Sequence, residues 1–152
     1  MILFLDFDGV LHPFASRDEL SDAENRFFSY LPRLEAVLRD YPGVLIVVSS
    51  DWRLGKTLSN LQAWFSPDIK PRIIGKTPLV TAHEHAWKGH RHTEILTWLD
   101  TNPAYGNEWV ALDDVADHFQ PNAPLILCDD KFGEVEEAAL RKLFSEKLKV
   151  TR

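Results

Sequence analysis

The chain has 152 residues, 45% of them apolar, with a formal net charge of -6. That length and apolar content suit one domain spanning residues 1–152 that buries its own core, and they exclude a disordered or fibrous chain. The acidic balance argues against a non-specific nucleic-acid binder, which carries a basic surplus, but leaves a nucleotide or an RNA end open as a substrate.

The chain opens on MILFLDFDG, with no basic leader and an acid at position six, which is not the pattern of a signal peptide. Residues 2 to 7 form an apolar run that stops at Asp8-Gly9 and read as a buried parallel strand. Residues 10 to 29 are mixed and predict a loop with at most a short helix. Leu31, Leu34, Val37 and Leu38 share a helical face over 31 to 40, and Pro42-Gly43 ends it. Val44 to Val48 is a second apolar strand, rich in β-branched residues, stopping at Ser49-Ser50-Asp51.

Leu54, Leu58, Leu61 and Trp64-Phe65 predict a helix closed by Pro67, and Ile73-Ile74 a short strand in 69 to 74. Residues 75 to 89 read as irregular, followed by a helix from about Arg91 to Leu99. Trp109 to Leu112 is a third strand, ended by Asp113-Asp114; Leu125 to Cys128 is a fourth core strand, followed by Asp129-Asp130. The last helix runs from Glu134 to Leu148, with Val135, Ala138, Ala139, Leu143 and Leu148 along it. Acids at its start and lysines towards its end complement the helix dipole.

Strands alternating with helices predict an α/β fold of Rossmann-like, three-layer α/β/α type with a mostly parallel sheet. In such sheets ligands bind at the C-terminal strand ends. A single cysteine, Cys128, cannot form an internal bridge and reads as an inert core residue; with no apolar run near the roughly 20 residues of a membrane helix, a cytoplasmic protein without a membrane partner is expected.

The chemistry lies at the strand ends. Asp6 and Asp8 are two residues apart, so a strand sends both side chains to one face, and Gly9 lets the backbone turn. Close carboxylates repel and need a cation or a shared proton; a hard divalent ion such as magnesium answers that need. Asp113 and Asp114 close the site from another strand. Ser49 or Ser50 offers a hydroxyl to a phosphate oxygen, or caps the following helix. Phosphoryl transfer also requires a positive side chain, for which Arg53, Lys56, Lys76, Lys88 and Arg91 are candidates.

Asp-Phe-Asp-Gly-Val-Leu after a hydrophobic strand resembles the first signature of the haloacid dehalogenase (HAD) superfamily of phosphohydrolases. Val47-Val48-Ser49 resembles the second, and Ala111-Leu112-Asp113-Asp114 the acidic fourth. The wording SSDWR followed by WVALDD is similar to small members associated with RNA repair proteins. The resemblance implies a magnesium-dependent phosphomonoester hydrolase without a large cap, acting on a phosphorylated small molecule or a nucleic-acid end, with no obligate partner.

It also implies roles. Asp6 would be the nucleophile and a magnesium ligand. Asp8 would be the general acid and base, with its carbonyl on the metal. Ser49 would hold the phosphoryl group, Asp114 would reach the metal, and Asp113 would support from behind. The superfamily's lysine has no unambiguous counterpart: Arg91 fits the register before the acidic strand, and Lys88 is the alternative. Two other classes stay open, a phosphoacceptor receiver-like domain and an inactive HAD-like binding module. His83, His85, His90 and His92 alternate in a polar segment without cysteine, a weak pattern for zinc. The tryptophans read as core or pocket wall, with Trp52 placed to flank the mouth of the site.

Overall fold

The computed structural model describes residues 1–80 and 89–148. Five parallel strands form one sheet: β1 (Ile2–Leu5), β2 (Leu45–Val48), β3 (Ile73–Lys76), β4 (Trp109–Asp113) and β5 (Leu125–Leu127), in the order β3-β2-β1-β4-β5. The helices are α1 (Asp22–Asn25), α2 (Leu31–Asp40), α3 (Leu58–Gln62), α4 (His90–Thr101) and α5 (Glu134–Leu148).

Period-two alternation sorts the strand side chains between two cores. Leu3, Leu5, Ile46, Val48, Val110 and Leu112 pack with residues of α2, α3 and α5. Ile2, Phe4, Val47 and Ala111 pack on the other face with Ile95, Trp98 and Leu99 of α4. The result is a three-layer α/β/α fold of HAD-like type. The stretch from β1 to α2 holds only the four-residue α1, so it builds no large cap. Among the described residues, no helix is long and apolar enough to cross a membrane.

Two elements depart from expectation. The helix predicted from Leu54 is broken: Ser50 caps a 3-10 turn at Asp51–Arg53, Gly55 takes φ +73, and the chain restarts as α3 with a Thr57–Asn60 capping box. Leu54 is left 45% exposed, so its helical spacing marked no inward face. The strand at Leu125 lies at the sheet edge and is only half-buried, because β4 is its one neighbour. In α5 the inward residues are Leu140 and Phe144, and Val135 is 77% exposed.

Phe4 is fully buried in the central strand, with the Trp98 and Trp109 rings edge-on to it at 5.8 Å. Phe4→Ala should lower the unfolding free energy by about 3–5 kcal/mol. Val135→Ala should change it by less than about 0.5 kcal/mol. Urea titration of both variants measures the contrast; equal midpoint shifts would contradict this assignment of the core.

Candidate active site

The alternation that builds the α4 face continues past the strand ends. Asp6 follows Phe4 by two, Ser49 follows Val47 by two, and Asp113 follows Ala111 by two. Pairing of Leu5 with both Val48 and Leu112 sets these three side by side; Ser49 N–H donates to the Leu5 carbonyl and Asp6 N–H to the Leu112 carbonyl. At this edge lies a pocket of about 100 Å³ lined by Asp6, Asp8, Phe14, Asp51, Arg91, Asp114, Val115 and His118.

Asp6 is buried. Its Oδ1 accepts the Phe7 N–H at 2.9 Å, and its Oδ2 lies 3.3 Å from Arg91 Nη1. Burial, and then the Asp113 charge, hold the Asp6 carboxyl well above its ordinary value, with Arg91 opposing. Asp114 is half-buried at the pocket wall, and burial raises it too. Its approach depends on Gly9: the residue sits at φ +75, and a Cβ there would overlap the Asp114 carboxylate.

Asp6, Asp113 and Asp114 offer oxygens within 4.8 Å of one another. Carboxylates so placed need a shared proton or a cation. This oxygen-only donor set therefore fits magnesium, with the pocket mouth leaving room for water and phosphate oxygens. Asp113 is fully buried and already engaged, taking Arg91 Nη1 on Oδ2 at 2.7 Å and the Val115 N–H on Oδ1 at 3.0 Å.

Arg91 enters from the first turn of α4, after Gly89 at φ +80. Its Nη2 donates to Asp51 Oδ1 at 3.2 Å. Burial disfavours its charge, but Asp113 and Asp6 outweigh that and strengthen its hold on the proton. Lys88 lies outside the described residues. The other cationic candidates do not line the pocket: Arg53 is buried against Glu94 at 3.0 Å, Lys56 sits over the Trp52 ring, and Lys76 reaches the Arg53 carbonyl.

The two serines divide. Ser50 Oγ caps the 3-10 turn by accepting the Trp52 N–H, whereas the buried Ser49 Oγ has no hydrogen-bond partner among the described residues. Arg53 stiffens this loop from beneath, donating to the carbonyls of Ser49, Ser50 and Thr77.

Asp8 is held differently from Asp6. Its Oδ1 accepts both His12 Nε2–H at 2.8 Å and Trp52 Nε1–H at 3.0 Å. His12 Nδ1 accepts the Phe28 N–H at 3.1 Å, which assigns the ring proton to Nε2. Asp8 Oδ2 is left as its second oxygen.

Sequence reasoning missed Asp51, which it placed only at the end of the second strand, and also Phe14, His118 and His12. The one signal for His12 was its place four residues after Asp8 on the turn that Gly9 opens. His83 and His85 lie outside the described residues. His90 stacks edge-on to His118, and His92 Nδ1 accepts the Gln120 N–H. Among the described residues, no histidine belongs to the cluster able to hold a metal. Cys128 is buried, and burial pushes its thiol up, as an inert core residue requires.

Comparison with known families matches residues 2–139 to the HAD domain in Swiss Army Knife RNA repair proteins. The chain belongs to this family and so to a superfamily of phosphohydrolase type. No curated protein and no solved structure matches it.

The Asp6 environment has a thermodynamic consequence. Its folded pKa lies above the ordinary 3.8, so ionising it costs the folded state stability, and the cost grows as pH rises through the folded value. In divalent-free buffer, Asp6→Asn should be more stable than the parent, with the gap smallest near pH 4 and widening towards pH 7. Added magnesium should narrow or reverse the gap by stabilising the parent. Thermal melts across pH test this; a gap independent of pH would refute it.

Proposed function

We propose that this chain is a magnesium-dependent phosphomonoester hydrolase of the cytoplasm that passes the phosphoryl group through Asp6, with a nucleotide or a nucleic-acid end phosphate as substrate and no obligate partner. The observation that carries the reading is one small pocket in which Asp6 and Asp8, held in different ways, meet Asp114 and Arg91. The family's occurrence in RNA repair proteins supports the nucleic-acid end.

Magnesium, held by Asp6, Asp114 and the Asp8 carbonyl, would offset the repulsion between a carboxylate and a phosphate dianion. Asp6 attacks phosphorus as the bond to the ester oxygen breaks. Arg91 stabilises charge on the transferring oxygens, and Asp113 and Asp51 hold its guanidinium in place. The unpartnered Ser49 hydroxyl donates to one of those oxygens. Asp8 gives its proton to the leaving alkoxide, then takes one from the water that attacks phosphorus, releasing inorganic phosphate and restoring Asp6. With Asp8 Oδ1 engaged by His12 and Trp52, Oδ2 carries that proton.

Arg91→Ala should lower kcat/KM by on the order of 10²-fold in a panel of phosphate esters. An unchanged rate, alongside a slow Lys88→Ala, would assign the cationic role to Lys88 instead.

Asp6→Asn should abolish turnover and leave no covalent phosphate. Asp8→Asn keeps an Oδ1 able to accept both N–H donors but cannot cycle a proton. It should be slow with alkyl esters, less impaired in the first step with aryl phosphates, and should accumulate phosphate on Asp6. Rapid-quench labelling and peptide mapping read this directly. Full activity of Asp6→Asn would indicate direct attack by water, and a stable acyl-phosphate without turnover in the parent would indicate a receiver-like domain.

A further inference from the structure

A wall of aromatic rings runs outward from the pocket. It starts at Trp52, whose indole N–H contacts Asp8. The Phe27 ring meets Trp52 edge-on at 5.2 Å, Trp64 meets it at 5.8 Å, and Trp64 stacks on Phe28 at 4.4 Å. The inner rings, Phe7 and Phe28, are core. The outer ones are not: Phe27 is 60% exposed and Trp64 44%, and Phe14 on the pocket wall is 71% exposed. Lys56, itself exposed, places its ammonium 5.4 Å from the Trp52 ring centre.

Core packing accounts for the inner half of this wall and leaves the outer half bare. Large aromatic rings held open to water beside a pocket of carboxylates and a guanidinium, with a cation at their edge, have the makeup of a stacking platform for bases. The pocket is small, about 100 Å³, so an ester much larger than its phosphoryl group extends over the rim. We propose that the Phe27–Trp52–Trp64 surface binds the base of the phosphorylated terminal nucleotide of a single-stranded nucleic acid, with Lys56 beside the adjoining phosphodiester. This rests on the reading of the Asp6 pocket as the phosphoester site. The net charge of -6 favours recognition of a single terminal nucleotide over electrostatic binding of a long duplex tract.

An apolar protein segment could cover exposed rings, but an aliphatic surface would serve it as well. The face here is built of rings and adjoins the reacting carboxylates, which favours a planar, phosphate-bearing ligand. Phosphotyrosine peptide is the competing planar ligand and is separable by experiment.

The test uses the full chain with Phe27→Ala, Phe27→Leu, Phe27→Tyr, Trp64→Ala and Trp64→Phe. Substrates are short single-stranded oligonucleotides phosphorylated at the 5′ or the 3′ end, the same oligonucleotides with an abasic terminal residue, glycerol phosphate and a phosphotyrosine peptide. Both alanine variants and Phe27→Leu should raise KM for the matching phosphorylated oligonucleotide about tenfold, the scale of one lost base stack, with kcat little changed. The aromatic replacements should restore it. The abasic oligonucleotide should resemble the variants, and KM for glycerol phosphate should not move.

Binding is read separately, as quenching of tryptophan fluorescence by the same oligonucleotides on Asp6→Asn protein. If no ester is hydrolysed but quenching occurs and is lost in Phe27→Ala, the platform stands and the phosphohydrolase reading fails. If glycerol phosphate is hydrolysed while the oligonucleotides neither quench nor respond to the variants, the platform is refuted. A KM rise confined to the phosphotyrosine peptide would also overturn it, assigning the surface to protein.

Discussion

Negative charge concentrated at one edge of the sheet is the constraint from which the rest of the site follows. Asp6, Asp8, Asp51 and Asp114 line a single pocket with Asp113 directly behind, and Arg91 is the guanidinium among them. At an effective dielectric of about 20, two such charges 4 Å apart repel by about 4 kcal/mol, so the arrangement holds only with compensating charge or protons. Among the described residues, one guanidinium is spread over Asp113, Asp6 and Asp51, and burial, then the neighbouring acids, raises the affinity of Asp6 for its proton. The same crowding makes the pocket receptive to a divalent ion.

How the fold sustains this crowding is visible one layer out. Arg91 is anchored on α4, and three residues further along Glu94 takes the buried guanidinium of Arg53. Arg53 in turn ties down the loop of Ser49 and Ser50 by its carbonyls. The helix that delivers the cation is thereby fastened to the loop that offers the hydroxyl. Glu94 Oε2 is buried with no partner among the described residues, so this pair is held at a cost in desolvation, which the several backbone acceptors of Arg53 help offset. A rigid link of this kind suits the phosphoryl transfer proposed for this site, in which groups must keep their places while charge moves.

Much of this was legible in the sequence because it rests on strand periodicity. Apolar runs ending in acids mark strands whose C-terminal ends meet, and the alternation through Phe4 and Asp6, Val47 and Ser49, Ala111 and Asp113 needs no tertiary knowledge. Contributions without a period were not legible. Asp51 looks like a cap residue, and its contact with Arg91 spans forty positions. His12 meets Asp8 only because the backbone reverses at Gly9, where Gly9 N–H bonds the His12 carbonyl. The helix predicted from Leu54 failed for a related reason: apolar spacing outweighed a glycine whose left-handed φ breaks the run. Val135 and Leu127 show the same limit, since apolar residues also stand on surfaces.

The contrast between Asp6 and Asp8 bears on how two carboxylates on one strand end can hold different jobs. Asp6 is enclosed, with one backbone N–H on Oδ1 and a guanidinium near Oδ2, and is subject first to burial and then to the neighbouring acids. Asp8 faces neutral donors, an indole and an imidazole, both on the same oxygen. These two donors fix the orientation of the Asp8 carboxyl group, as the acid–base role proposed for it requires. His12 is itself constrained, because its Nδ1 is occupied by the Phe28 N–H and its Nε2 proton by Asp8. With both ring nitrogens committed, the imidazole is a fixed strut, and the proton transfer proposed for Asp8 falls to its Oδ2. The two proposed roles are thus separated by what surrounds each carboxyl, although residue type is shared.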